Sequence, residues 1–232
     1  MKIGGFQKFS LIDYPGKIAA VVFTQGCNFR CRYCYNPELV CHDRFKDTLP
    51  EEEVIRFLSL RRGLLEGVVV TGGEPTQQVD LIPFLDKLRR MGYYVKLDTN
   101  GSHPRVLDAL IRLNLVNYIA MDVKASFDKY EQVTGVPFSV ENIKESINLI
   151  LQSKLNYEFR TTVVKHLCSM DDLQTIIFAI KGARQFFIQQ FQSSLKIMDN
   201  DLLDRDQYTH QDMEQIRMFA MEHDISAVSI RD

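Results

Sequence analysis

Ala19-Ala20-Val21-Val22-Phe23-Thr24-Gln25-Gly26-Cys27-Asn28-Phe29-Arg30-Cys31-Arg32-Tyr33-Cys34 decides both the fold and the chemistry of this chain. The opening apolar run has the length and β-branched content of a buried strand, and the loop behind it carries three cysteines at CxxxCxxC spacing. Structural zinc sites close with four protein ligands, and ordinary four-iron clusters likewise take four cysteines. Three clustered thiols are one ligand short, which leaves a metal position open for chemistry. A zinc knuckle would need a fourth ligand, and Cys41 or His42 stands near enough in sequence to supply one. A disulfide framework fits poorly, because five cysteines is an odd count and the opening Met1-Lys2-Ile3-Gly4-Gly5 has no apolar leader.

Composition narrows the class. With 232 residues, 45% hydrophobic and 25% charged, the expectation is one globular domain over residues 1–232. A net charge of −2 argues against a nucleic-acid or membrane surface. The apolar runs are strand-length, so no transmembrane helix is expected. Free thiolates suit a reducing cytoplasm.

Outward from the cysteine loop, strand-like and helix-like segments alternate, which implies βαβ units and a parallel sheet. The strands expected are Ala19–Thr24, Gly67–Val70, Tyr93–Asp98, Tyr118–Asp122, Tyr157–Val164 and Phe186–Gln190. The helices expected are Glu51–Arg62, Asp80–Met91, Pro104–Leu113, Glu141–Ser153, Asp171–Lys181 and Gln211–His223. A full eight-unit barrel takes about 250 residues, so this set predicts an α/β fold of a partial (βα)6 TIM-like barrel. Ile225–Ile230 adds either a last strand or a cover.

Every chemical motif begins at the carboxyl end of one of these strands, the face on which βα barrels carry their sites. After the cysteine loop come Gly72-Gly73-Glu74-Pro75, Asp98-Thr99-Asn100-Gly101 and Met121-Asp122-Val123-Lys124. Paired glycines allow a close backbone approach to a ligand, and Glu74 offers a carboxylate to an ammonium group. Strand alternation puts Lys96 and Asp98 on one face, Asp122 and Lys124 on another, and Glu158, Arg160 and Thr162 on a third. Such polar faces fit a zwitterionic ligand, with internal ion pairs such as Lys96–Asp98 as the plainer explanation. Asp98 and Asn100 also suit turns or caps.

The cysteine triplet followed by Gly72-Gly73-Glu74-Pro75 resembles the radical S-adenosylmethionine (SAM) superfamily. That resemblance implies a [4Fe–4S] cluster on Cys27, Cys31 and Cys34, with SAM on the open iron and Tyr33 beside it. It further implies SAM contacts from Gly72, Gly73, Glu74, Asp98, Asn100, Asp122 and Lys124. Lys124 would meet the SAM carboxylate, and a monovalent cation between Asp98 and Asp122 would relieve their repulsion. The Asp98–Gly101 and Asp122–Lys124 segments resemble those of glycyl-radical-enzyme activases. Ser10–Lys17 and Cys34–Leu39 resemble the activating proteins of anaerobic ribonucleoside-triphosphate reductase. The late strand offers Gln189 and Gln190 where pyruvate formate-lyase activases carry a histidine, so Gln189 joins the candidate set. The implied partners are a glycyl radical enzyme, a class III ribonucleotide reductase, with flavodoxin or ferredoxin as electron donor. Alternatives are activation of pyruvate formate-lyase, a small-molecule radical SAM enzyme like 7-carboxy-7-deazaguanine synthase, or a non-enzymatic zinc module. Cys41, Cys168 and His166 receive no role.

Overall fold

All six expected strands form, three of them with the expected ends. A computed structural model describes residues 1–192, 197–203 and 207–231. The strands are β1 Ile3–Ser10, β2 Ala19–Thr24, β3 Gly67–Gly72, β4 Tyr94–Thr99, β5 Tyr118–Asp122, β6 Asn156–Val163, β7 Phe186–Gln190 and β8 Val228–Arg231. They lie in chain order in the sheet. The helices are α1 Pro37–Val40, α2 Glu51–Leu60, α3 Leu81–Arg90, α4 Pro104–Arg112, α5 Tyr130–Thr134, α6 Val140–Gln152, α7 Met170–Ala179 and α8 His210–Glu222. Among the described residues no helix is long and apolar enough to cross a membrane.

The chain divides into two compact units. The first comprises Met1–Asn28, Glu38–Thr99 and Arg105–Ile119. Here β2 runs parallel to β3, pairing Ala19 with Gly67 and Thr24 with Gly72, and β3 runs parallel to β4. Val68, Val69 and Val70 are wholly buried, as a strand covered on both faces requires. Helix α3 buries Leu81, Phe84, Leu85 and Leu88, an i, i+3, i+4, i+7 stripe worth about 2 kcal/mol per side chain.

Strand β1 was not expected. Its Ile-Gly-Gly-Phe-Gln-Lys-Phe-Ser sequence has low strand propensity and no clean alternation. It forms because its backbone completes an antiparallel ladder with β2. A Cβ on Gly4 would stand 2.6 Å from Leu39 Cδ2 and 3.2 Å from Gln25 Cβ, so a larger residue would push the Leu39 side chain aside. The hairpin that follows places Tyr14 against Gly67 and Tyr118. Asp13–Gly16 therefore closes the amino ends of these strands, whereas Cys27 follows the carboxyl end of β2.

The second unit comprises Phe29–Pro37, Asn100–Pro104 and Ala120–Asp232. Its β6, β7 and β8 are parallel, with Phe159 opposite Phe186 and Phe186 opposite Val228, so the last segment is a strand. Helix α7 starts with a reciprocal capping box between Ser169 and Asp172. Asp172 also accepts hydrogen bonds from Ser126 Oγ at 2.8 Å and Lys129 Nζ at 2.7 Å.

Burial would raise the Asp172 carboxyl, but the Lys129, Ser169 and Ser126 donors outweigh it and hold its pKa down at about 2, against an ordinary 3.8. A depressed folded pKa contributes stability that is present above pH ~4 and lost as pH falls through ~2. Asp172→Asn should therefore lower unfolding stability at pH 7 by about 2 kcal/mol and flatten the acid-side loss between pH ~4 and ~2. Urea unfolding across that range checks both. An unchanged acid slope would refute the assignment.

Candidate active site

The cysteine loop has no helix or strand from Cys27 to Arg32, so its shape comes largely from what grips it. Cys27 belongs to the first unit, and Cys31 and Cys34 belong to the second. In the second unit, helix α5 offers its carboxyl end to the loop. The Arg30 amide donates to Thr134 O at 2.7 Å and the Arg32 amide to Val133 O at 3.4 Å. These are carbonyls that a helix end leaves without intrahelical partners. Gly135 makes the junction possible: it is left-handed at φ +69, and a Cβ would stand 2.9 Å from Arg30 O. Phe29, 1% exposed, packs edge-on against Tyr130 and Phe138. Residues beyond β7 grip the same loop. Met198 and Asp199 donate their amides to Cys34 O and Arg32 O, and the Arg32 guanidinium pairs with Asp199 at 2.6 Å. Tyr35 stacks on Phe191 and accepts the Gln192 amide.

Behind this loop lies a line of charge. Lys124 Nζ bonds Asp122 Oδ2 at 2.8 Å, and Arg160 Nε bonds Asp122 Oδ1 at 2.7 Å. Burial would raise the Asp122 carboxyl, yet Arg160 and Lys124 hold it far below the carboxylate range. Burial likewise works against the Lys124 ammonium, but the Asp122 carboxylate keeps it firmly protonated. Lys124 Nζ stands 6.0 Å from the Tyr33 ring centroid, and its backbone amide donates to the Tyr130 hydroxyl at 3.3 Å. Burial pushes the Cys31 thiol up to about 11, with Lys124 pulling down and Cys34 and Asp122 pushing up. The structure thus brings together Cys31, Cys34, Tyr33, Asp122 and Lys124. It adds Tyr130 and α5, which sequence reasoning missed, and Arg160, which it had placed only on a polar strand face. Asn100 is 5% exposed and accepts the Ser102 amide at 2.9 Å, the geometry of an Asx turn. Gln189 sits near the end of β7 between Thr162 and Arg231.

In the first unit the glycine pair serves the protein's own backbone. Gly72 has φ +113, and a Cβ on Gly73 would stand 2.0 Å from Gly26 O. That carbonyl accepts the Glu74 amide at 2.8 Å, and Gly73 donates to Thr24 O at 2.8 Å. The expected close approach is therefore to Thr24 and Gly26, at the root of the cysteine loop. Gly26, itself at φ +104, was overlooked in the sequence although it directly precedes Cys27. Glu74 is 1% exposed and accepts hydrogen bonds from the Thr76 amide and hydroxyl and from Thr99 Oγ1. Those bonds fix the short turn Pro75–Gln77. Lys96 and Asp98 form an ion pair at 2.5 Å, so the internal pairs weighed as the plainer explanation are present.

The donor set fits an iron–sulfur cluster. None of the five cysteines is in a disulfide, and the backbone carrying Cys31 and Cys34 is held from two sides. Among the described residues, no three His, Cys, Asp or Glu side chains converge on a single metal ion.

Residues 21–177 match the Radical SAM superfamily. The chain is 35% identical over 195 residues to MJ1227 of Methanocaldococcus jannaschii, provisionally named a glycyl-radical enzyme activating enzyme, covering 82% of this chain and 80% of that protein. It is 32% identical over 145 residues to the pyruvate formate-lyase-activating enzyme of Streptococcus mutans, covering 57% and 54%. Among solved structures, Streptococcus suis SuiB bound to S-adenosylmethionine superposes with a TM-score of 0.64 at 13% identity, covering 91% of this chain and 52% of that one. At that identity the likeness concerns fold alone, an α/β fold of the partial-barrel type.

Proposed function

This chain belongs to the radical SAM superfamily, enzymes that use a [4Fe–4S] cluster and SAM, and on that premise we propose that it activates a glycyl radical enzyme, an anaerobic class III ribonucleoside-triphosphate reductase. The activase part is carried by the relationship to MJ1227, which spans most of both chains. The choice of reductase rests on Ser10–Lys17, Cys34–Leu39 and the glutamines of β7.

When bound, the reduced cluster and SAM supply a 5′-deoxyadenosyl radical able to take a hydrogen atom from a glycine Cα. The protein's share is placement and exclusion of water. Cys27, Cys31 and Cys34 hold the irons, their loop shaped by α5 and by Met198–Asp199. Lys124, kept charged by Asp122, meets a carboxylate, while Arg160 stops Asp122 from swinging away. Gly72, Gly73 and Glu74 present backbone to an ammonium group, with the Glu74 carboxylate fixing that backbone through Thr76 and Thr99. Asp98, Asn100, Tyr33 and Gln189 complete the assigned contacts. A flavodoxin or ferredoxin delivers the electron.

Mixing the reconstituted protein with SAM, reductant and a class III reductase from the same cell should give the doublet electron paramagnetic resonance of a glycyl radical. A reductase with its radical glycine changed to Ala should give none. A doublet with pyruvate formate-lyase and silence with the reductase would move the partner assignment. Silence with both, together with rapid SAM turnover driven by a small metabolite, would overturn the activase reading.

A further inference from the structure

Lys96 is 3% exposed in β4, with Val69 opposite it on β3. Its Nζ lies 2.5 Å from Asp98 Oδ1 and 5.9 Å from the Tyr118 ring centroid. Strand alternation sets this pair, since residues two apart share a face. Exposure divides the two partners, for Asp98 is 15% exposed. The ammonium lies behind and the carboxylate in front. Desolvating two charges generally cancels what their attraction returns, so a buried lysine here is poorly explained as a stabilising device. Asp98 opens the Asp-Thr-Asn-Gly segment at the carboxyl end of its strand, and the second unit repeats the arrangement with Asp122 held by Lys124 and Arg160. Asp98 and Asp122 thus each carry a cation supplied by the protein.

We propose that Lys96 is a built-in counter-ion for Asp98, taking the place that a dissolved monovalent metal cation would otherwise fill, so that the enzyme binds SAM without one. This rests on the assignment of Asp98 to the SAM site. The neutralised carboxylate can then stand beside an anionic group of the ligand. Lys96 is a positioning residue in this scheme, acting through Asp98.

The test is equilibrium SAM binding to cluster-loaded protein at constant ionic strength in potassium, sodium or N-methylglucamine salts. Wild-type affinity should agree within about twofold in all three, and Lys96→Met should bind roughly tenfold more weakly in N-methylglucamine than in potassium or sodium, a usual size for coupling between two bound groups. A lysine of merely structural importance would lower the melting temperature equally in every salt. Wild-type affinity that rises tenfold with potassium overturns the proposal, as does a Lys96→Met variant indifferent to the cation. Should Lys96→Met not fold, the neutral double variant Lys96→Met/Asp98→Asn should fold and bind SAM without cation dependence; dependence there would also overturn it. Melting of the cluster-free protein in the same salts reads the ion pair without SAM. Potassium or sodium should raise the melting temperature of Lys96→Met and leave wild type unmoved. Failure of wild type to bind SAM at all would strike the functional assignment, and the melting comparison would still decide this one.

Discussion

Cys31→Ala should leave the protein folded and without an iron–sulfur cluster. Anaerobic reconstitution of wild type is expected to give about four irons per chain, and the variant essentially none after desalting. Cys27→Ala and Cys34→Ala should do the same, since each thiolate holds its own iron and a cubane left with two protein ligands is lost. The cost to the fold is small: Cys31 is 8% exposed, and its sulfur is comparable to one buried methylene, about 1 kcal/mol. Cys41→Ala and Cys168→Ala should retain the cluster. Burial pushes the Cys168 thiol up to about 12, which describes an inert packing cysteine. Iron and sulfide content, with melting curves to confirm folding, read the result. Four irons in Cys31→Ala would end the cluster assignment.

Gly73→Ala should be strongly destabilising. The new Cβ would stand 2.0 Å from Gly26 O and 2.6 Å from Gly26 C. Both are backbone atoms, and the same carbonyl accepts the Glu74 amide, so neither side can yield without opening the turn. Overpacking ordinarily costs 1–3 kcal/mol and occasionally more. Here about 3 kcal/mol or more is expected, a fall in melting temperature of roughly 6–12 °C for a chain of this size. SAM binding should fall with it, because the displaced segment carries Gly72–Glu74. Gly16→Ala provides the contrast. Gly16 has φ +70 with nothing within 4 Å of a Cβ, so only backbone strain of about 1–2 kcal/mol applies. A Gly73→Ala protein melting like wild type would show that the two loops do not meet as described.

Local chemistry was legible wherever periodicity or a motif carried it. β2, β5 and β7 have the ends that their apolar runs predict, and the count and spacing of Cys27, Cys31 and Cys34 carry the proposal of an open metal site. The shared faces of Lys96 with Asp98 and Asp122 with Lys124 follow from a period of two, and both pairs form. Strand β1 escaped because its two glycines erase the alternation, and α5 because five residues are too few to show a helical period. What only the tertiary structure decided is who uses each signal. Gly73 reads only as a place for close backbone approach until Gly26 is seen against it. Glu74 reads as a free carboxylate until Thr76 and Thr99 are seen to donate to it. Asn100 reads as a contact or a turn residue, and the structure shows its side chain accepting the Ser102 amide; Asp13–Gly16 has no assigned place until the hairpin carries it to the strands' amino ends. Sequence fixes which donors, acceptors and small residues exist and which face of an element they share. The partner of each is chosen by packing between segments remote in the chain, where an atom's nearest neighbour is set by sheet register and loop path.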